Sequence, residues 1–304
     1  MHHDKTKKVL SIWIDAGAIA EKTAIKENMV TELIESVKDK LLKEREKRKA
    51  PFIDKTLYTS CNGMMISSYL KAYRVLRENS LKEFALKSLK RILKNNLVKE
   101  ELYHTEGVKA VLDDYVFIIE ALITAYEFTG DSNYCNLADR LMLKCIEKFW
   151  DNKEGGFFDT DEEVLGIRMK EIEDIPHPSA NALSIILLLK LYYMNEKQSY
   201  YQLAERTLRS FSSKVKNTGI LSGYYFCALD AYFNMIKLSL ETSPESNLSE
   251  IALLTYNPYI SIVHGKDRGY VTPCFKNVCY KQIDSPETLR SILQNPGNFL
   301  KNVL

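Results

Sequence analysis

The chain has 304 residues, 45% of them hydrophobic, and its 42 basic and 40 acidic side chains leave a formal charge of +2. That is ample apolar material for a core, while the near-neutral balance gives no electrostatic footprint for nucleic acid or an anionic membrane. The longest apolar run, Leu183 to Leu189 and on past Lys190 to Met194, is shorter than the roughly 18 to 20 residues a bilayer needs, and Met1 to Lys8 lacks the hydrophobic region of a signal peptide.

In chain order, VLSIWI at 9–14 reads as a short strand-like piece. Asn28 to Arg48 reads as a long charged helix with Met29, Leu33, Ile34, Val37, Leu41 and Leu42 on its buried side. The KEREKRK run at 43–49 is the solvated end of that helix rather than a nucleic-acid arm. From Asn62 to Leu76 the pattern is apolar nearly all round, predicting a helix buried on every side, and Leu81 to Leu97 is one-sided, predicting a helix wet on its back. The same alternation recurs. Asp113 to Phe128 is an inner helix and the stretch from Tyr134 to Phe149 an outer one; Ser179 to Met194 is inner and Ser199 to Val215 outer. A fourth inner helix runs from Ser222-Gly223 to Leu240, with a short companion from Leu248 to Leu254.

A unit of inner plus outer helix repeating every roughly 45 to 65 residues indicates an array of α-hairpins over 57–254. Inner helices that are apolar on both flanks suit a curved or closed double ring better than a flat solenoid. Residues 255–284 change character: YISIV, GYVTP and VCYKQI are β-rich pieces broken by Gly265, Gly269 and Pro273. A final helix starts at Ser285-Pro286-Glu287. We therefore expect a single all-α domain over 1–304, a partial toroid of antiparallel α-hairpins with a small β-rich C-terminal segment.

Six cysteines lie at 61, 135, 145, 227, 274 and 279, mostly within predicted helices, the usage of a reduced cytoplasmic protein. Cys274 and Cys279 alone are close, and are read as a zinc half-site, as small buried thiols or as an adventitious pair. No dinucleotide, phosphate-loop, zinc-protease or serine-hydrolase motif is present, so no cofactor and no metal are expected.

Polar residues collect where each inner helix starts: Thr59, Ser60 and Asn62; Asp113 and Asp114; His177, Ser179 and Asn181; Ser222 and Tyr224. Ser, Thr, Asp and Asn are also the residues that cap helices, but two consecutive aspartates, or Ser179 plus Asn181, exceed what one cap requires. Hairpins in a ring point their inner helices the same way, so these starts are expected to share one mouth. Asp54, Asp159, Glu171, Glu173 and Asp174 are further acids near the mouths. Paired carboxylates could do acid/base work on a sugar. His177, held between Pro176 and Pro178, is the best single general-base candidate, whereas His104 and His264 are read as loop histidines without a partner motif.

At these residues the chain resembles a known family. LYTSCNGMMISSYLKAYRVL at 57–76, LDDYVFIIEAL at 112–122, FWDNKEGGFFDT at 149–160, PSANAL at 178–183 and GYVTPCFKNVC at 269–279 look like the C-terminal half of the YyaL-type, spermatogenesis-associated thioredoxin-domain proteins. The resemblance implies an (α/α)6 toroid similar to six-hairpin glycosidases and N-acylglucosamine 2-epimerases. The family's TSWNG reads Thr59-Ser60-Cys61-Asn62-Gly63 here and its PSGN reads Pro178-Ser179-Ala180-Asn181. Its thioredoxin domain, redox cysteines and first hairpins have no counterpart, so its thiol chemistry does not carry over.

The sequence thus points to a carbohydrate-type pocket. Asp113 or Asp114 is expected as acid/base, His177 as proton shuttle, Tyr58 or Tyr115 as stacking surface, and Asn62, Ser179 and Asn181 as lining. The rival expectation is a non-catalytic helical subunit whose ring is completed by a partner chain carrying the missing half, or by a second copy of itself.

Overall fold

A computed structural model describes residues 11–255, 258–275 and 278–294. They fall into two units divided between Lys55 and Thr56, where the sequence alone reads as one domain, and each unit is described by itself.

The first unit is a pair of helices, α1 (Ala16–Thr23) and α2 (Glu27–Glu46). Asp15 caps α1 by accepting from the Ala18 N–H at 2.7 Å. Residues 11–14 form no strand, contrary to the reading of 9–14, because an extended piece with no neighbouring strand among the described residues has no ladder to join; residues 9 and 10 lie outside the described residues. In α2, Val30 is buried, but of the side expected to be covered only Ile34 is half-buried, and Met29, Leu33, Val37, Leu41 and Leu42 are exposed. The short α1 is too small to cover it.

In the second unit α3 (Thr59–Leu76) and α4 (Asn79–Asn96) form the first hairpin. A small antiparallel sheet follows, β1 (Leu97–Val98), β2 (Glu101–Thr105) and β3 (Val108–Lys109). Then come the hairpins α5 (Leu112–Thr129) with α6 (Ser132–Phe149) and α7 (Ala180–Asn195) with α8 (Gln198–Phe211). A single turn, α9 (Val215–Thr218), leads to α10 (Gly223–Asn234). Helices α3, α5, α7 and α10 stand side by side as the inner layer, and α4, α6 and α8 brace α3, α5 and α7 from behind. The unit is a partial α/α toroid with a small β segment, as its pattern predicts.

The inner helices run in one direction. Ser60 to Asp114 links the starts of α3 and α5, and Lys71 to Glu120 links them further along. Asp113 to His177, and then Glu127 to Lys190, does the same for α5 and α7. Helix α5 is buried from Leu112 to Phe128 except at Asp113 and Glu120, each large apolar side chain contributing roughly 1.5–3 kcal/mol. Outer α6 buries one stripe, Cys135, Ala138, Leu141, Met142, Cys145 and Phe149. At Gly63 the backbones of α3 and α5 nearly touch, since a Cβ there would lie 2.7 Å from the Phe117 carbonyl.

The fourth inner helix is shorter than the sequence suggests. It ends at Asn234, and Ile236–Glu241 is a strand, β4, with Ile236, Leu238 and Leu240 buried and Lys237, Ser239 and Glu241 half-buried. A two-residue alternation was hidden behind the apolar run before it. After α11 (Asn247–Leu254), strands β5 (Ile260–His264), β6 (Tyr270–Phe275) and β7 (Val278–Cys279) complete a sheet of order β5-β4-β6-β7, and α12 (Pro286–Gln294) closes the described chain. Strand β4 is parallel to β5 and antiparallel to β6, so the expected β-rich tail is built around a strand that the sequence reading had placed in a helix.

Cys274 and Cys279 face each other across β6 and β7 and form a disulfide, so they are neither a zinc half-site nor two thiols. Cys135 and Cys145 are buried free thiols, Cys61 and Cys227 exposed ones. No helix among the described residues is long and apolar enough to cross a membrane.

Candidate active site

The starts of the four inner helices are tied to one another by side chains. At α3, Asn96 from the end of α4 donates to the carbonyls of Leu57 and His104 and to the Thr59 hydroxyl, and Thr59 in turn donates to the Tyr103 carbonyl at 2.6 Å. This clamp brings β2, and with it His104, against the beginning of α3.

Between α6 and α7 the chain turns at Gly155-Gly156, both at positive φ; a Cβ on Gly156 would meet the Phe211 ring at 2.8 Å. Asn181 then holds Phe157 by both backbone groups, accepting from its N–H at 2.7 Å and donating to its carbonyl at 2.9 Å, with a further donation to the Glu171 carbonyl at 3.0 Å. The segment so fixed delivers Asp159, whose carbonyl accepts from the Leu112 N–H at 3.0 Å. That satisfies one of the free donors at the start of α5 and brings the Asp159 side chain within electrostatic reach of Asp113. On the other flank, Asp174 accepts from the backbone N–H of Ser179 at 2.9 Å and of Tyr224 at 2.8 Å, joining the starts of α7 and α10. Tyr224 also lines a cavity of about 460 Å³ along the inner helices, with Lys71, Glu120, Leu183 and Lys190 among its walls.

The consecutive aspartates of α5 have different surroundings. Asp114 is fully buried: Oδ1 accepts from the Ser60 N–H at 2.9 Å and Oδ2 from the Val111 N–H at 3.0 Å, while Nδ1 of His104 lies 3.0 Å from each oxygen. Asp113 keeps 37% of its side chain exposed and faces Nε2 of His177 at 3.3 Å. Nδ1 of His177 lies 3.1 Å from the Pro178 carbonyl, which can only accept, so Nδ1 carries a hydrogen. A favourable contact between Nε2 and Asp113 then needs one further proton, held as an imidazolium or as a protonated carboxyl. Burial raises the Asp113 pKa; the two histidines, His177 more than His104, pull it back, and Asp114 adds to the rise.

Burial also pushes Asp159 up, to about 6, against a hydrogen bond from the Glu171 N–H; Glu171 and Asp113 add to the rise and Lys214 opposes it. The mouth therefore holds two carboxyl groups biased towards their protonated form and two imidazoles. Acid/base chemistry near neutral pH is what such a set can do. Among the described residues no group of three or more His, Cys, Asp or Glu is disposed to hold a metal ion.

The residues named from sequence separate accordingly. Asp113 and His177 come together at the open side of the mouth. Tyr58 is half-buried with its ring 5.2 Å from that of His104, and Asn62, also half-buried, donates to the Tyr58 carbonyl. Asp114, Ser179 and Asn181 are buried and spend their side chains on backbone groups: Ser179 caps α7 and donates to the Glu171 carbonyl. Tyr115 points away from the mouth, buried edge-on against Phe149, where no ligand ring can stack on it.

Two members of the site were passed over. Asp159 was one acid among several, although its place after Gly155-Gly156 was a usable signal. His104 was read as a loop histidine without a partner, whereas it sits on β2 against Asp114. His264, read likewise, is on β5 and donates through Nε2 to the Glu127 carbonyl at 2.9 Å.

No family model matches the chain. An uncharacterised protein of Caenorhabditis elegans is 31% identical to it over 202 residues, 62% of this chain and 27% of that protein. Human spermatogenesis-associated protein 20 is 26% identical over 250 residues, 76% of this chain and 32% of its own length. The resemblance carried by the five motifs holds. The matched part spans about a third or less of these relatives. Among solved structures, an α-mannanase of family GH76 from Bacteroides thetaiotaomicron superposes with a TM-score of 0.48 at 16% identity, over 84% of this chain and 72% of its own. A cellobiose 2-epimerase from Bacillus thermoamylovorans does so with 0.45 at 15% identity, over 66% and 55%. These are likenesses of fold.

Proposed function

We propose that the mouth at the starts of α3, α5, α7 and α10 is an acid/base site for a carbohydrate-type small molecule, acting in the manner of an epimerase or glycosidase. The observation that carries the reading is the Asp113–His177 pair, 3.3 Å apart and partly exposed at the open side of the mouth. Asp159 is the second carboxyl, and Tyr58 and Asn62 are the polar-aromatic wall. Asp114, Ser179, Asn181 and Tyr115 hold the frame. The proposed setting is the cytoplasm, supported by four cysteines left as free thiols; the Cys274–Cys279 disulfide is the feature that setting must accommodate.

The test is conversion of a panel of reducing sugars and α- and β-linked disaccharides, followed by NMR. Wild-type protein is expected to epimerise or hydrolyse at least one member, and Asp113→Asn to lower kcat by about 100-fold or more. A wild-type protein inert on the whole panel removes the reading.

A second reading, an interaction subunit, is favoured by one observation: both end helices of the inner layer keep apolar side chains exposed, Met65 and Val75 on α3, Phe226 and Phe233 on α10. Light scattering after size exclusion is expected to show a dimer or larger assembly on this reading, and a stable monomer contradicts it.

A further inference from the structure

We infer that His104 is a second proton-transfer group of this mouth, held by Asp114 with its Nε2 as the ring nitrogen left for substrate. The inference rests on the acid/base reading above and deepens it. Its geometric ground is that the two consecutive aspartates of α5 each take one histidine: Asp113 faces His177 from the loop before α7, and Asp114 faces His104 from β2.

Asp114 is built to orient rather than to react. Its carboxylate is inaccessible, and both oxygens are occupied by the N–H groups of Ser60 and Val111, which fix its plane between α3 and α5. A carboxylate can only accept, so the contact of 3.0 Å from His104 Nδ1 to both oxygens places a hydrogen on Nδ1. In the neutral ring this leaves the lone pair on Nε2, the tautomer a general base requires. The logic is that of a base oriented by a buried acid, here without a protein nucleophile. The ring cannot swing freely, because the Asn96 clamp holds the backbone of His104 and Tyr58 packs at 5.2 Å from its ring centre. The imidazole nevertheless stays 32% exposed.

The mouth would then contain one group arranged to deliver a proton, the Asp113–His177 pair, and one arranged to receive a proton, His104. During epimerisation of a reducing sugar, His104 Nε2 takes the proton of the carbon next to the carbonyl, the C–H electron pair passing into an enolate and the ring becoming imidazolium against Asp114. Asp113–His177 delivers a proton to the opposite face of that carbon to form the new C–H bond, and solvent then carries the proton from His104 back to the pair. Charge and protons balance without a cofactor. Asp114 is a positioning residue in this scheme.

The experiment has two arms. Long-range 1H–15N NMR of the labelled protein at pH 8 reads the tautomer: hydrogen on Nδ1 of His104 in wild type, with that preference lost in Asp114→Asn. Hydrogen on Nε2 in wild type would overturn the inference. The second arm uses the sugar panel above. His104→Ala is expected to lower kcat about 100-fold or more with little change in KM, and added imidazole to restore part of it, which a purely structural role does not permit. His104→Gln, checked by circular dichroism for its fold, guards against a trivial loss. If His104 variants keep full kcat while Asp113→Asn loses it, this inference fails and the acid/base reading stands; if wild type converts no sugar, both fall.

Discussion

Asp113 and Asp114 are adjacent in sequence and serve different ends, which resolves the surplus of acid at the start of α5. One carboxylate is consumed as a staple between α3, the segment before α5 and His104; the other is left at the surface of the mouth. Asp159 is the most informative titrating group. Burial lifts it from the ordinary 3.8 to about 6, and an acid whose pKa is higher folded than unfolded binds more protons when folded. Stability contributed by its neutral form is therefore lost as pH rises through roughly 4 to 6. Asp159→Asn should stabilise the protein at pH 7 by on the order of 1 kcal/mol, discounted for partial exposure, and by almost nothing near pH 4. Urea melts at the two pH values check this, and an equal gain at both would contradict it.

At the level of elements, the inner layer depends on close approach. Gly63→Ala puts a methyl 2.7 Å from the Phe117 carbonyl, backbone that cannot move aside, so a loss of about 1–3 kcal/mol is expected from overpacking. Thermal unfolding measures it, and an unchanged Tm would mean that α3 and α5 do not pack as described. The hairpins were legible in the sequence because an apolar surround and a one-sided stripe are local patterns. The end of α10 was not. YYFCALDAYFNMIKLSL is predominantly apolar, and the switch at Met235 from helical spacing to the alternation of β4 emerges only when β5 and β6 supply partners on both sides. The hairpin β2–β3 was missed for a related reason: its strands are too short to show a period.

For the molecule as a whole, the disulfide is the sharpest test of setting. In the cytoplasmic setting proposed above, protein alkylated at the moment of lysis and then denatured is expected to show six free thiols before reduction, whereas four, rising to six after reduction, would mean that the Cys274–Cys279 bridge stands in the cell and would overturn that setting. Six before reduction would mean that β6 and β7 are unbridged in the cell, as a cytoplasmic thiol pool would keep them.

Taken by itself, the sequence determined which segments face inward and which are wet on one side, because hydrophobic periodicity is written within each helix. It also marked the helix starts as rich in polar groups. Only the tertiary structure decided which of those groups are spent and which are free. Asp114 meets Ser60 across 54 residues and Asn181 meets Phe157 across 24, and whether a polar side chain is a staple or a reactive group depends on whether such distant backbone donors and acceptors claim it first.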